Sequence, residues 1–210
     1  MEKQKPIKEN IKILPELLLI DEVDSIVDLH CRALPDDFFP KFDRRVIKEY
    51  YRNSFRYNDG FIMGVKYQNR LLSFVYLSEG RNNFFKLILS PSFPFLLLNL
   101  IRVIFESPSL ILNLLISLFN GNEYKKYRSQ VAYIATDPEF QNKGIGVKIL
   151  IATSTEAVKR NIHNCFTKTL SKNKHVIKMY SKIFEDSKIE KTFSDYKRNY
   201  TIIGWSFKKF

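Results

Sequence analysis

The stretch VAYIATDPEFQNKGIGVKILIA, residues 131–152, places a strand, a polar turn and a helix in direct succession. Six strand-forming residues, 131–136, run into Asp137, which with the following proline ends the strand and begins a turn. Gly144 and Gly146 then open an apolar helical pattern. The first backbone N–H groups of such a helix have no helical partner and lie at the positive end of the helix dipole. The turn is therefore predicted to bind an anion, and a pyrophosphate suits it because glycines let the backbone approach without a Cβ in the way.

The residues around the two glycines exclude two known kinds of phosphate-binding turn. Gln141 and Lys143 can add side-chain donors at the rim of the turn. The turn is not a P-loop, since the Gly-Lys-Ser/Thr ending of that motif is missing, and it lacks the third glycine of the dinucleotide-binding fingerprint. Spacing alone thus indicates an anion site without identifying its ligand.

The rest of the chain supplies strands and helices on both sides of this turn. Residues 60–80 predict a β-hairpin whose turn is YQNR. Helices are predicted over 22–33, 42–55, 144–161 and 173–184, strands over 131–136 and 162–170, and a closing β-hairpin over 188–210. This order indicates a mixed α/β sheet flanked by helices. With 210 residues and 45% hydrophobic content, we expect a single domain over 1–210.

Residues 82–128 form an apolar segment inserted before the strand of the glycine turn. Pro91, Pro94 and Pro108 interrupt it, and its longest apolar run, 93–105, is shorter than the roughly 20 residues that a membrane-spanning helix needs. We expect two helices that pack on the core or against a twin subunit in a homodimer. The alternative is a hydrophobic platform that contacts a membrane surface or a lipid-linked substrate.

Composition limits the class of partner. The net charge of +12 fits a solvated basic face, an anionic ligand or an anionic membrane surface. Nucleic acid is not expected, because the sequence has no zinc-finger spacing, no basic region with heptads and no paired aromatic RNA-binding motif. Cys31 and Cys165 lack metal-ligand spacing, which predicts buried free thiols and no metal. Because the N-terminus has no apolar signal region, we expect a cytoplasmic protein.

Two motifs resemble those of the GNAT acyltransferase superfamily. Gln141-Asn142-Lys143-Gly144-Ile145-Gly146 matches Gln/Arg-x-x-Gly-x-Gly/Ala, which that family places between strand four and helix three. Asn173, Val176 and Tyr180 match the family's later Asn-x-x-Ala-x-x-x-Tyr motif. The resemblance covers residues 60–81 and 129–186. The apolar segment is similar to that of a subgroup with a long hydrophobic insertion between strands three and four.

The resemblance implies the GNAT fold, a mixed and mostly antiparallel central sheet flanked by helices, and an acetyl-CoA site. The backbone of Ile134, Ala135 and Thr136 would pair with the pantetheine arm of the cofactor, as an added strand would. The N–H groups of residues 141–146 would hold the pyrophosphate. Asn173 would contact the cofactor.

Tyr180 would act as the general acid that protonates the leaving thiolate, because the resemblance places it beside the sulfur. No motif identifies the base that takes the amine proton. Glu79, at the end of the second hairpin strand, and Tyr133 are the candidates, and a water chain is the alternative. His30 lies on the apolar face of the first helix and is interpreted as a core-edge histidine rather than a base.

Three positions depart from the family pattern. Val176 replaces the usual alanine, Ser73 replaces a glycine often found in strand three, and Phe184-Glu185 stands where the family has Gly-Phe. These changes affect the surroundings of Tyr180 more than the phosphate-binding turn.

The function that the resemblance implies is acetyl-CoA-dependent N-acetyl transfer by direct attack of a primary amine. The acceptor would be a small-molecule amine or an amino sugar. A protein or peptide N-acetyltransferase is the second hypothesis, and it predicts an open groove in place of an apolar pocket. A catalytically weak acyl-CoA-binding interaction module is the third, suggested by the altered turn after Tyr180.

Overall fold

The computed structural model describes residues 14–37, 39–79, 93–106, 126–195 and 198–207. Within them, seven strands form one sheet, accompanied by five α-helices and three short 3-10 helices. The strands are β1 (Pro15–Leu17), β2 (Gly60–Tyr67), β3 (Arg70–Ser78), β4 (Ser129–Thr136), β5 (Asn164–Leu170), β6 (Lys188–Asp195) and β7 (Arg198–Ser206). The α-helices are α1 (Val23–Ala33), α2 (Arg44–Arg56), α3 (Phe93–Glu106), α4 (Ile145–Lys159) and α5 (Lys174–Ile183). The 3-10 helices are Ile20–Glu22, Phe39–Lys41 and Pro138–Phe140.

The sheet has the order β1-β2-β3-β4-β5-β7-β6. Neighbouring strands pair antiparallel except for β4 and β5, which pair parallel. Helices α1 and α2 pack on one face of the sheet, and α4 and α5 pack on the other. The predicted mixed, mostly antiparallel sheet flanked by helices is therefore confirmed.

Alternating side chains of β3 explain why this strand reads as a continuous apolar run. Phe74 and Tyr76 join the core beneath α1 and α2, whereas Val75 and Leu77 join the core beneath α4 and α5. Because successive side chains of a strand point to opposite faces, a strand covered on both sides needs apolar residues at every position.

The hairpin turn lies where the sequence predicts it. Gln68 and Asn69 connect β2 to β3 with φ angles of 49° and 62°. Two consecutive left-handed residues are typical of a type I′ turn, whose twist matches that of the flanking strands, and asparagine adopts this conformation more readily than most residues.

Two features differ from the sequence analysis. The short strand β1 was not predicted; it pairs with the edge of β2, from Pro15 opposite Val65 to Leu17 opposite Met63.

Of the two cysteines that were predicted to be buried, Cys165 is buried, and burial raises the pKa of its thiol to about 12. Cys31 was also predicted to be buried but is only half-buried, because it lies in the last turn of α1, beyond the last buried residue of that helix.

The apolar insertion is described only in part. Its run 93–105 lies in α3, as predicted, whereas the second predicted helix lies outside the described residues. Helix α3 approaches α2, where the Arg45 guanidinium lies 4.0 Å from the centre of the Phe95 ring. Phe105 is 83% exposed, and contact of this segment with a membrane or a second copy stays a prediction. Among the described helices, none has both the length and the apolar character needed to cross a membrane.

Candidate functional site

The parallel strands β4 and β5 separate soon after they meet. Val131 and Thr167 are the last residues that pair across them, although β4 continues to Thr136 and β5 to Leu170. The β3–β4 register shifts at the same point, where Ala132 is an extra residue on β4, and such a bulge increases the local twist. We call the space between the separated strand ends the β4–β5 cleft and the Val131–Thr167 pair its vertex.

The free edge of β4 presents backbone groups to this cleft. The Asp137 N–H donates to the Leu72 carbonyl of β3 at 2.8 Å. Because successive strand residues direct their polar groups to opposite edges, Ala135 also faces β3, whereas Ile134 and Thr136 face the cleft. Of the three residues predicted to pair with a pantetheine arm, Ile134 and Thr136 thus direct backbone groups toward the cleft. The backbone groups of Ala135 are directed at β3 instead.

The turn after β4 bends through two left-handed residues. Asn142 has a φ of 60° and Gly144 a φ of 76°. The first backbone bond of α4 runs from the Lys148 N–H to the Gly144 carbonyl at 3.1 Å. The N–H groups of residues 145–147 precede that bond and have no partner within the helix. The turn therefore has the unpaired donors that an anion site at a helix start requires.

The two side chains predicted at the rim have different roles. The Gln141 side-chain amide donates to the Thr136 carbonyl at 3.1 Å, so it closes the turn onto the end of β4. Lys143 is exposed, and its ammonium lies 4.7 Å from the centre of the Phe140 ring. Gln141 thus shapes the turn, whereas Lys143 leaves a positive charge at its surface.

The two glycines are required for different reasons. A Cβ on Gly144 would meet nothing within 4 Å, so its left-handed backbone, and not lack of space, favours glycine there. A Cβ on Gly146 would lie 3.7 Å from the Met179 sulfur and 3.9 Å from side-chain atoms of Ile134 and Thr136. Gly146 therefore lies where β4, α4 and α5 meet at the cleft, and a larger side chain would fill that junction.

Asp137 anchors the start of the turn through two arginines. Its carboxylate is buried and lies 3.0 Å from Arg32 of α1 and 2.8 Å from Arg70 of β3. It also accepts the Glu139 N–H at 3.2 Å. Burial pushes the pKa of Asp137 upward, but the hydrogen bonds and charges of these partners outweigh burial and hold the pKa below its ordinary value. The carboxylate thus joins α1, β3 and the end of β4.

Tyr180 of α5 lies at the vertex of the cleft. It is wholly buried beside Phe184 and Trp205, and among the described residues its hydroxyl has no hydrogen-bond partner. Burial raises the pKa of Tyr180 well above its ordinary value, and the nearby Thr167 hydroxyl opposes that shift. Thr167 donates to the Val131 carbonyl at 3.0 Å, which places the Tyr180 hydroxyl beside the last pair of β4 and β5. The phenol therefore keeps its proton at neutral pH.

The remaining predicted residues lie at different distances from the cleft. Asn173 directly precedes α5, is exposed, and does not cap the helix with its side chain. Glu79 follows β3 beside the first residues of β4, on the paired side of the vertex, with its carboxylate 3.3 Å from Arg128. Tyr133 is half-buried and packs on the α1 and α2 face of the sheet. The base role of Glu79 or Tyr133 stays a prediction.

Sequence analysis missed the partners of Asp137. Arg32 and Arg70 are 105 and 67 residues from it along the chain, and no local motif connects them. The only signal was Asp137 itself, an acidic residue at the end of an apolar strand.

Comparisons with known proteins identify the family of this chain. The sequence model of the Acetyltransferase (GNAT) family matches residues 23–185, so the chain belongs to that family, and acyl transfer is the reaction class that membership implies. No sequence among curated proteins matches this chain. The subgroup with a long hydrophobic insertion stays a prediction.

Several solved structures share the fold at low sequence identity. The ribosomal-protein-alanine N-acetyltransferase from Escherichia coli is 11% identical, with a TM-score of 0.58, 93% of this chain covered and 94% of that chain. A spermidine N-acetyltransferase chimera from Vibrio cholerae and hSSAT is 12% identical, with a TM-score of 0.59 and coverages of 93% and 95%. YncA from Salmonella typhimurium, solved with its cofactor acetyl-CoA, is 11% identical, with a TM-score of 0.59 and coverages of 95% and 96%. At these identities the likeness shows the fold alone.

Substitution of Asp137 tests the anchor of the turn. We expect Asp137→Asn to lower the free energy of unfolding at pH 7 by about 1–3 kcal/mol, because the charged hydrogen bonds to Arg32 and Arg70 are lost. The pKa of Asp137 is depressed in the folded state, so its stabilisation is present above the ordinary value of 3.8 and is lost as the pH falls through the lower folded value. Urea unfolding of both proteins should therefore give a difference that closes in acid, below about pH 4.

Glu139→Gln is the matched control for this measurement. Glu139 also contacts Arg70 at 3.0 Å, but its side chain is 61% exposed. We expect a change of less than about 0.5 kcal/mol, as for other exposed ion pairs. Equal effects of the two substitutions would contradict the anchoring role of Asp137.

Proposed function

We propose that this protein is an acetyl-CoA-dependent N-acetyltransferase that acts on a primary amine of a small molecule or an amino sugar. The observation that carries the proposal is the buried, protonated Tyr180 hydroxyl, which has no hydrogen-bond partner among the described residues and lies at the vertex of the β4–β5 cleft. A buried polar group normally has a partner, so this hydroxyl beside Thr167 at the cleft vertex is a candidate contact for a bound ligand group. Family membership supplies the reaction class.

The residues around the cleft fit acetyl-CoA. Ile134 and Thr136 offer backbone groups with which the amide-containing pantetheine arm can pair. The N–H groups of the turn 141–146 would hold the pyrophosphate. Asn173, which is exposed directly before α5 and does not cap that helix with its side chain, would contact the cofactor. When bound, acetyl-CoA supplies an acetyl thioester that is activated toward amines.

Tyr180 would hold and deliver the proton in this reaction. N-acetyl transfer forms a C–N bond and breaks the C–S bond, so the amine loses a proton and the departing thiolate gains one. The Tyr180 side chain is wholly buried, and its hydroxyl keeps its proton at neutral pH without a hydrogen-bond partner among the described residues. Delivery of this proton to the departing thiolate would be the general acid step that the family resemblance implies.

The altered turn after Tyr180 supports an ordered site. Phe184 is buried, and its ring stacks 4.9 Å from the centre of Trp205, which itself lies 4.9 Å from Tyr180. Aromatic packing thus fixes the end of α5 where the family has Gly-Phe. The missing Gly-Phe, which was the reason for considering a catalytically weak binding module, therefore does not loosen the surroundings of Tyr180. Among the described residues, no contact favours the second hypothesis, a protein or peptide acceptor.

Substitutions of Gly146 test the cofactor site. We expect acetyl-CoA to raise the melting temperature of the native protein, as binding to the folded state requires, and ATP and NAD to raise it less. Gly146→Ala should keep this shift, because a Cβ there makes ordinary contacts. Gly146→Leu should abolish it, because the larger side chain fills the junction of β4, α4 and α5.

Differential scanning fluorimetry of the wild type, Gly146→Ala and Gly146→Leu, with and without acetyl-CoA, gives the stability of each protein and its ligand-induced shift. The melting temperatures without ligand should differ by only a few degrees, which shows that Gly146→Leu still folds. An undiminished acetyl-CoA shift in Gly146→Leu would reject the assignment of this cleft to the cofactor.

Removal of the Tyr180 hydroxyl tests the acid role. We expect Tyr180→Phe to lower the rate of thiol release from acetyl-CoA in the presence of amines by about 10²–10⁴-fold. Affinity for acetyl-CoA should change little, and stability should stay equal or rise slightly, because a buried hydroxyl without a partner is removed. Tyr57→Phe, which changes a half-exposed phenol, is the control and should keep the wild-type rate. A Tyr180→Phe enzyme as fast as the wild type would exclude the acid role.

A further inference from the structure

Two hydroxyl groups meet between β3 and β4, close to the point where β4 ends. Ser73 of β3 lies opposite Thr136 of β4 and is wholly buried. Its Oγ lies 2.8 Å from the Ala135 carbonyl oxygen and 2.9 Å from Thr136 Oγ1. We call Ser73 and Thr136 the hydroxyl pair. Because Ser73 stands where the family often has glycine, a residue without a side chain, this pair is a feature of the present chain.

The protons of the hydroxyl pair have one favourable arrangement. A serine hydroxyl has a single proton, and a carbonyl oxygen can only accept. The Ser73 proton is therefore donated to the Ala135 carbonyl, because any other orientation would bring the lone pairs of two oxygens together at 2.8 Å. Thr136 Oγ1 then donates its own proton to Ser73 Oγ. Since that proton is already used, Thr136 Oγ1 has only lone pairs left and can accept a further hydrogen bond but not donate one.

The Thr136 hydroxyl lies at the β4–β5 cleft. Thr136 is half-buried, and its Oγ1 is 3.9 Å from the position that a Cβ would take on Gly146. Gly146 belongs to the first turn of α4, at the junction of β4, α4 and α5. The Thr136 backbone carbonyl already accepts the Gln141 side-chain amide at 3.1 Å. Thr136 therefore has one acceptor that the chain itself uses and a second, the hydroxyl oxygen, that Ser73 orients beside the cleft.

An oxygen that can only accept limits which part of a ligand it contacts. The pyrophosphate of acetyl-CoA is ionised at neutral pH and also only accepts hydrogen bonds, so the two would not pair. The pantetheine arm, in contrast, carries amide N–H groups and a hydroxyl that can donate. Resting on the proposed function, we propose that Thr136 Oγ1 accepts a hydrogen bond from the pantetheine arm, and that Ser73 is the positioning residue that orients this acceptor.

Ser73 acts on binding by fixing the Thr136 hydroxyl in advance. Without Ser73, the Thr136 proton could turn toward the cleft, and the hydroxyl would have to be ordered when the ligand binds. The Ser73 side chain is wholly buried and donates to the Ala135 carbonyl, so it offers the Thr136 proton one acceptor in one place. Strand β3 thus influences the cleft through β4.

Titration calorimetry with acetyl-CoA measures the effect of each hydroxyl on binding. We expect Thr136→Val, which keeps the shape of the side chain, to weaken binding about three- to tenfold, as for loss of one neutral hydrogen bond. Thr136→Ser keeps the hydroxyl and should bind within about twofold of the wild type. Ser73→Ala should weaken binding about two- to fivefold in the wild-type background and have no further effect in Thr136→Val, because the hydroxyl that Ser73 orients is then absent.

Thr155→Val is the matched control, because the Thr155 hydroxyl is exposed on α4 and donates to the Ile151 carbonyl at 3.1 Å. It should leave acetyl-CoA binding within about twofold of the wild type. A second ligand, 3′-phospho-ADP, has the phosphates of the cofactor but no pantetheine arm, and it should bind the wild type and Thr136→Val equally.

Three results would overturn the inference. Thr136→Val could bind acetyl-CoA as the wild type does, or it could lose affinity for acetyl-CoA and 3′-phospho-ADP equally. Ser73→Ala could also weaken binding further in Thr136→Val, which would indicate a general loss of packing. Failure of the proposed function is a different result, in which the wild type itself does not bind acetyl-CoA.

Discussion

The separation of β4 from β5 is the constraint on which the rest of this structure depends. A parallel pair that stops at Val131 and Thr167 while both strands continue creates a cleft inside the sheet rather than on its surface. The Gln141 side chain serves the Thr136 carbonyl, and the backbone groups of Ile134 and the N–H of Thr136 then need a partner that is not part of the sheet. An extended ligand with amide groups satisfies them in the way that a missing strand would. The bulge at Ala132 bends β4 at the point where the strands part.

A cleft of this kind must be held open by groups outside it, and Asp137 is the residue best placed to do so. Its buried carboxylate is shared by an arginine of α1 and an arginine of β3, so the end of β4 is fixed to the opposite side of the sheet from β5. The two arginines are only about half-buried, at 48% and 41% exposure, which limits the cost of desolvating their charges. Gln141 then closes the turn onto Thr136, and the helix dipole of α4 is directed at the mouth of the cleft.

The elements with local signals could be predicted from the sequence, and those that depend on distant partners could not. The hairpin at 68–69, the glycine turn and the helices α1, α2, α4 and α5 all follow from periodicity, capping and turn residues within about ten positions of one another. Strand β1 was missed because three residues carry no periodic pattern, and it is defined only by its pairing with β2. The arginines of Asp137 and the surroundings of His30 are contacts between residues far apart in sequence. Pattern alone identified His30 as a core residue, and it is wholly buried, but pattern could not show that its Nε2 lies 3.4 Å from Asp37.

The two faces of β4 therefore carry different chemistry. On the α4 and α5 face, the strand meets unpaired N–H donors, Gly146 and a protonated phenol, which suit the phosphates and the departing sulfur of a thioester. On the α1 and α2 face, Tyr133 packs against His30 and Phe39 in an apolar core. Tyr133 and Ile134 are neighbours on the strand, yet their side chains belong to these two different cores. Because a strand alternates its side chains, one short segment of β4 contributes to both cores next to the vertex.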